Sequence, residues 1–126
     1  MPFQRQPAAV FRALDVVVHA STKPEPFGRT IVEGMACGRA VVATAGGGVG
    51  ELVRPGEDAE LVPAGDPAAL AATVGRLVAD PARRQALGRQ AVVSAARFSR
   101  NVAGAGVLSV YHDLVGDRAD VSKTRC

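Results

Sequence analysis

Two carboxylates, Glu25 and Glu33, stand with seven residues between them, and the stretch they enclose reads Pro26-Phe27-Gly28-Arg29-Thr30-Ile31-Val32. A helical pattern starts near Arg29 and stops at Gly38, a good residue for the position just past a helix end. The N-terminus of such a helix offers unpaired N–H groups and the positive end of its dipole, which together hold an anion. Gly28 lets the backbone come close to that anion with no Cβ in the way. Glu25 falls on the loop before the helix and Glu33 about one turn inside it. Carboxylates so placed accept hydrogen bonds from hydroxyl groups on either side of a backbone-held phosphate. A phosphate with a sugar on each side is a nucleotide sugar. Acid pairs around a glycine-containing turn are common, so the spacing alone is a weak signal.

The elements that must position these residues are legible on both sides. The apolar run Val16-Val17-Val18 lies upstream and Ala40-Val41-Val42-Ala43 downstream. The order strand, loop, helix, strand is one βα unit of a parallel sheet. Ligands of such sheets bind where the carboxyl ends of the strands meet helix N-termini. Before this unit, Pro7 to Leu14 reads as a short helix, and Asp15 to Ala20 as a strand covered on both faces. His19, at the end of that strand, reads as a partly buried, hydrogen-bonded histidine rather than a ligand contact. A second strand spans Arg39 to Thr44, and a loop rich in glycine follows, Ala45-Gly46-Gly47-Gly48-Val49-Gly50. Glu51 closes that loop and reads as structural, a cap for a short helix. Arg54 to Asp58 is a turn and Glu60 to Ala64 a third strand. Asp66-Pro67 and Asp80-Pro81 are helix starts, with Asp as N-cap and Pro in the first turn. Leu70, Val74, Leu77 and Val78 recur at helical spacing, as do Leu87, Ala91, Ala95 and Phe98. Ser99 caps a last helix that Gly104 and Gly106 weaken.

The run His19 to Gly28, continued through Val32-Glu33-Gly34-Met35-Ala36-Cys37-Gly38, resembles the donor-site signature of retaining glycosyltransferases of the GT-B fold. More narrowly it is similar to the family-four group, which includes sucrose synthases, glycogen-type synthases and bacterial mannosyltransferases. The later parts of that signature are also present, as Val41-Val42-Ala43, Gly46-Gly47-Gly48 and Glu51. The resemblance runs from about Val10 to Val115. It implies an α/β fold, a Rossmann-like parallel sheet flanked by helices, forming the later part of the C-terminal domain of a GT-B enzyme. Residues 1–115 are then a partial nucleotide-sugar-binding domain, and 116–126 a polar, disordered tail.

By the same resemblance, the parent activity is transfer of a sugar from a nucleoside-diphosphate sugar to an acceptor, with retention of anomeric configuration. Glu25 would position the donor sugar through its hydroxyls, without an established role as nucleophile. Glu33 would bind the ribose hydroxyls, and the backbone of Pro26, Phe27, Gly28, Arg29 and Thr30 would hold sugar and phosphate. The glycine loop would let backbone approach the donor. No metal and no cofactor are expected; the nucleoside-diphosphate sugar is substrate. The resemblance does not extend to the acceptor-binding first domain, nor to the upstream segment that supplies an Arg/Lys pair for the diphosphate. Those cations matter because charge developing on the leaving group is met by fixed cations and dipoles. Alone, the chain is therefore expected to be inactive in transfer. The alternatives are a non-catalytic binding module, a split subunit whose first domain comes from a separate chain, or an inactive truncated product.

Composition narrows the class further. The 126 residues suit a single domain. The core must be built from Ala, Val and Leu, since Trp is absent and Phe and Tyr are few. Cys37 and Cys126 form neither a metal pattern nor a disulfide framework, which points to a reducing, cytoplasmic compartment. No signal-peptide apolar region opens the chain, and no stretch reaches membrane-spanning length. Arg76, Arg83, Arg84, Arg89, Arg97 and Arg100 read as solvated helix faces. Contact with an anionic membrane surface is a lesser reading, and nucleic acid is not expected, because no aromatic or glycine-rich nucleic-acid motif accompanies the arginines. Lys23 reads as a solvated surface residue.

Overall fold

The computed structural model describes residues 6–121, with side chains through residue 115. Three strands, β1 (Val16–His19), β2 (Ala40–Ala45) and β3 (Glu60–Pro63), pair in parallel in the order β1-β2-β3. Val16 stands opposite Ala40 and His19 opposite Ala43; Val42 stands opposite Glu60 and Ala45 opposite Pro63. Around them run α1 (Pro7–Arg12), α2 (Arg29–Ala36), α3 (Val49–Leu52), α4 (Pro67–Ala79), α5 (Pro81–Ala95) and α6 (Arg100–Val121).

The central strand is apolar along its length because helices cover both of its faces, and Ala40 to Thr44 are all buried. Alternation along the strands sends Val17, His19, Val41 and Ala43 to one face and Val16, Ala40, Val42 and Val62 to the other. On the first face α2 packs so close that a Cβ at Gly34 would lie 3.2 Å from the Val17 methyl carbons. On the second, Leu77 of α4 and Leu87 of α5 close over Ala40, Val42 and Val62, with Val16, Leu70 and Val74 at the margin. Val78, expected on the same stripe as Leu77, points to solvent instead. One residue along a helix is a rotation of about 100°, enough to carry Val78 off the buried face.

Helix ends follow the sequence signals. Asp66 Oδ1 accepts the Ala69 N–H at 2.9 Å, and Asp80 Oδ1 accepts the Arg83 N–H at 2.9 Å, each followed by its proline. At the end of α2, Gly38 has φ +70°; its N–H donates to the Met35 carbonyl, and the Arg39 N–H reaches back to the Gly34 carbonyl. That is a Schellman stop. The same glycine meets α5, where a Cβ at Gly88 would collide with the Gly38 carbonyl oxygen. The turn before β3 is closed by Asp58, which is fully buried and accepts the Arg54 N–H at 2.7 Å. Arg83 ties α5 to this turn through the Gly56 carbonyl at 2.7 Å and the Glu60 carboxylate at 2.8 Å.

The chain divides into two compact units between Ala96 and Arg97. In the second, Ser99 opens α6, its Oγ 3.4 Å from the Val102 N–H, and the helix runs unbroken through Gly104 and Gly106 to Val121. The described side chains of α6 are exposed, among them Val107, Val110, Tyr111 and Leu114. The tail expected from residue 116 onward coincides with helix as far as Val121, and 122–126 lie outside the described residues, as does Cys126. No helix among the described residues is long and apolar enough to cross a membrane.

Candidate functional site

The loop from the carboxyl end of β1 to the start of α2 carries the first carboxylate, and it is fixed mainly by backbone. Thr44 Oγ1 donates to the Ser21 carbonyl at 2.7 Å, and Ser21 Oγ donates to the Lys23 carbonyl at 2.9 Å. Glu25 then forms a parallel bridge with Gly47, and the Gly48 N–H donates to the Glu25 carbonyl at 2.9 Å. The two backbones lie so close that a Cβ on Gly47 would collide with the Glu25 carbonyl oxygen, and one on Gly48 with that of Pro26. Gly47 and Gly48 are required by contact with Glu25 and Pro26, within the protein.

Gly28 is the pivot between loop and helix. Its φ of +80° and ψ of +54° place it in the left-handed region, and it is the N-cap of α2. A Cβ there would lie 2.9 Å from Ile31 Cδ1, the movable end of a side chain, so it is the backbone conformation that calls for glycine. No side chain caps α2; the Gly28 carbonyl takes the Ile31 N–H at 2.9 Å, and the Gly28 N–H donates to Glu25 Oε1 at 3.1 Å. Pro26, Phe27, Arg29 and Thr30 are exposed around this terminus.

Glu33 lies one turn further on, partly exposed, with Oε1 3.2 Å from Arg29 Nη2 across one helical turn. The Arg29 side chain is 83% exposed, so this pair is weak in water and open to displacement. Glu25 is thus engaged at Gly28 and Glu33 at Arg29, neighbouring residues at the start of α2. The structure brings both sequence-selected carboxylates to one helix terminus, where Gly28 is buried and the flanking Phe27, Arg29 and Thr30 are exposed. Lys23 is exposed. Glu51, expected as a cap, lies in the first turn of α3.

One contact escaped the sequence. His19, its side chain 15% exposed, places Nε2 3.7 Å from Glu25 Oε2. Its Nδ1 is buried and has no hydrogen-bond partner among the described residues. The expected hydrogen-bonded histidine is therefore an imidazole turned toward the site carboxylate. The signal for it was its position at a strand's carboxyl end, but its side-chain direction depends on the face that α2 covers.

Comparison with known proteins places this geometry. The family model for glycosyl transferases group 1 matches residues 1–93. A curated D-inositol 3-phosphate glycosyltransferase of Acidothermus cellulolyticus is 40% identical over 115 residues, covering 91% of this chain and 25% of the relative. The chain therefore spans about a quarter of the length of this curated relative. Among solved structures, a sucrose-phosphate synthase from Thermosynechococcus elongatus superposes with a TM-score of 0.83 at 35% identity, over 91% of this chain and 29% of that one. Anabaena HepE, solved in complex with UDP-glucose, superposes at 0.74 with 36% identity, over 77% of this chain and 27% of that one. The three-stranded sheet with its helices is the later part of the Rossmann-like C-terminal domain of a GT-B glycosyltransferase. On the family match and the fold together, the chain belongs to the glycosyl transferases group 1.

Proposed function

We propose that this chain is the donor-binding portion of a retaining glycosyltransferase that uses a nucleoside-diphosphate sugar. The observation that carries the reading is that Glu25 and Glu33 engage neighbouring residues, Gly28 and Arg29, at the N-terminus of α2. The backbone of Phe27, Gly28, Arg29 and Thr30 holds the phosphate and the inner edge of the sugar, where helix N–H groups and dipole meet negative charge. Glu33, released from Arg29, accepts from the ribose hydroxyls, and Glu25 from hydroxyls of the donor sugar. In transfer, the bond from the anomeric carbon to the diphosphate oxygen breaks and a bond to an acceptor hydroxyl oxygen forms on the same face. Charge then grows on the departing diphosphate, where the α2 terminus is preorganised to receive it. No cofactor is needed for this step, and the activity belongs in the cytoplasm. The relatives' greater length fits an activity in which this chain alone transfers little or no sugar, the remainder coming from a longer protein or a separate chain.

Titration calorimetry of the chain with UDP and UDP-glucose tests the reading. UDP-glucose is the first probe because HepE, 36% identical here, was solved with it. Binding of either ligand, weakened by Glu33→Ala, is expected. Loss of hydrogen bonds to a charged group costs about 1.5–3 kcal/mol, which is roughly ten- to a hundredfold in affinity. Failure to bind any of a panel of nucleotide sugars would sink the reading, and robust transfer by the isolated chain would overturn its inactivity.

A further inference from the structure

We propose that His19 is a positioning residue for Glu25, holding the carboxylate toward the donor sugar. The inference rests on the donor reading above and extends it to a side chain that reading leaves out. Glu25 has two oxygens with different partners: Oε1 accepts from the Gly28 N–H at 3.1 Å, and Oε2 faces His19 Nε2 at 3.7 Å. The first contact occupies a backbone donor at the very terminus that a donor phosphate would use. When a phosphate takes that N–H, Glu25 loses a hydrogen bond and must settle elsewhere. Its backbone cannot follow, because the bridge to Gly47 and the Gly48 N–H pin it. Only the side chain moves, and His19 Nε2 is the donor within a small rotation of it.

The imidazole is suited to this by its own constraints. His19 is held in β1 opposite Ala43 and is largely buried, so it has little freedom to turn away. Thr44 Oγ1 lies 3.4 Å from the His19 carbonyl, fixing the strand end as well. With the proton on Nε2, the ring can donate to Glu25 once the carboxylate closes the 3.7 Å gap; Nδ1, buried and without a partner among the described residues, offers no competing tie. Glu25 then keeps one oxygen on the imidazole and presents the other to a sugar hydroxyl. Nucleoside diphosphate alone also takes the Gly28 N–H, but it offers no sugar hydroxyl to the second carboxylate oxygen, so it gains less from this arrangement.

The test compares UDP-glucose with UDP on the full chain, for wild type, His19→Ala and His19→Gln, with circular dichroism to confirm folding. His19→Ala is expected to weaken UDP-glucose about tenfold, the size of one charge-assisted hydrogen bond, and to weaken UDP distinctly less. His19→Gln, which retains a side-chain N–H donor, is expected to recover most of the loss. Equal loss for UDP and UDP-glucose would mean a structural role only, and no loss for either would overturn the inference outright. Nitrogen-15 spectra of the imidazoles give a readout independent of donor binding. Glu25→Gln should move the His19 Nε2 resonance and leave that of His112 in place; an unmoved His19 resonance would overturn the pairing. If wild type binds neither ligand, the donor reading fails, and these spectra still decide the His19–Glu25 contact.

Discussion

Glu25 is held from behind by glycines and from the side by a histidine, and each restraint has a separable consequence. Gly48 has an ordinary φ of −76°, so alanine there carries no backbone penalty; the obstacle is the Pro26 carbonyl oxygen alone. Gly48→Ala should therefore act by pushing the Glu25–Pro26 segment away. Overpacking of this kind costs about 1–3 kcal/mol, readable as a lower urea midpoint, and the displaced carboxylate should lower UDP-glucose affinity, as removing it by Glu25→Ala should. Gly50→Ala, just inside α3, meets nothing within 4 Å and serves as the control without a clash. A Gly48→Ala chain with wild-type affinity and stability would show that the loop gives way freely. Arg29→Ala makes the opposite prediction. It releases Glu33 from an exposed pair, so stability should move by less than about 0.5 kcal/mol, and binding by calorimetry should not weaken unless the guanidinium itself touches the diphosphate.

At the scale of elements, α2 is fixed by its terminators and neighbours more than by propensity. Gly38→Ala places a side chain at φ +70° and should cost about 1 kcal/mol. Gly88→Ala should cost more, since its Cβ strikes the Gly38 carbonyl and α5 has to move bodily. Removing the Asp66 cap of α4 by Asp66→Ala should cost about 1 kcal/mol. Chemical denaturation ranks the three, and a Gly88 variant milder than the Asp66 variant would contradict the packing described. These elements also show what can be read in a chain before it folds. Asp-Pro starts, the Gly38 stop and the apolar strands act through neighbours close in sequence, and all are where the spacing placed them. The Gly88–Gly38 contact, the seating of Gly47 and Gly48 on Glu25 and Pro26, and the His19–Glu25 approach join residues far apart in the sequence or depend on which helix covers which face. Local pattern carries no trace of such contacts. The outward turn of Val78 escaped for the same reason.

For the molecule as a whole, burial is concentrated in the first unit, on β2 and the helix faces against it, whereas the described side chains of α6 are exposed. Local stability should follow that division. Amides of Val41 to Thr44 should be the slowest to exchange with deuterium, and those of 102–115 among the fastest of the helical residues. Uniform protection across both would show that α6 gains cover in solution. The close seating of Gly47 and Gly48 on Glu25 and Pro26 has a further consequence, in evolutionary time. A crowded side chain can be accommodated by trimming its neighbour, but here the neighbour is main chain, which no substitution shortens. These two glycines therefore have no second-site compensation. Relatives that keep the donor site are expected to keep both glycines, and a relative with a side chain at either position is expected to have lost the place of this carboxylate.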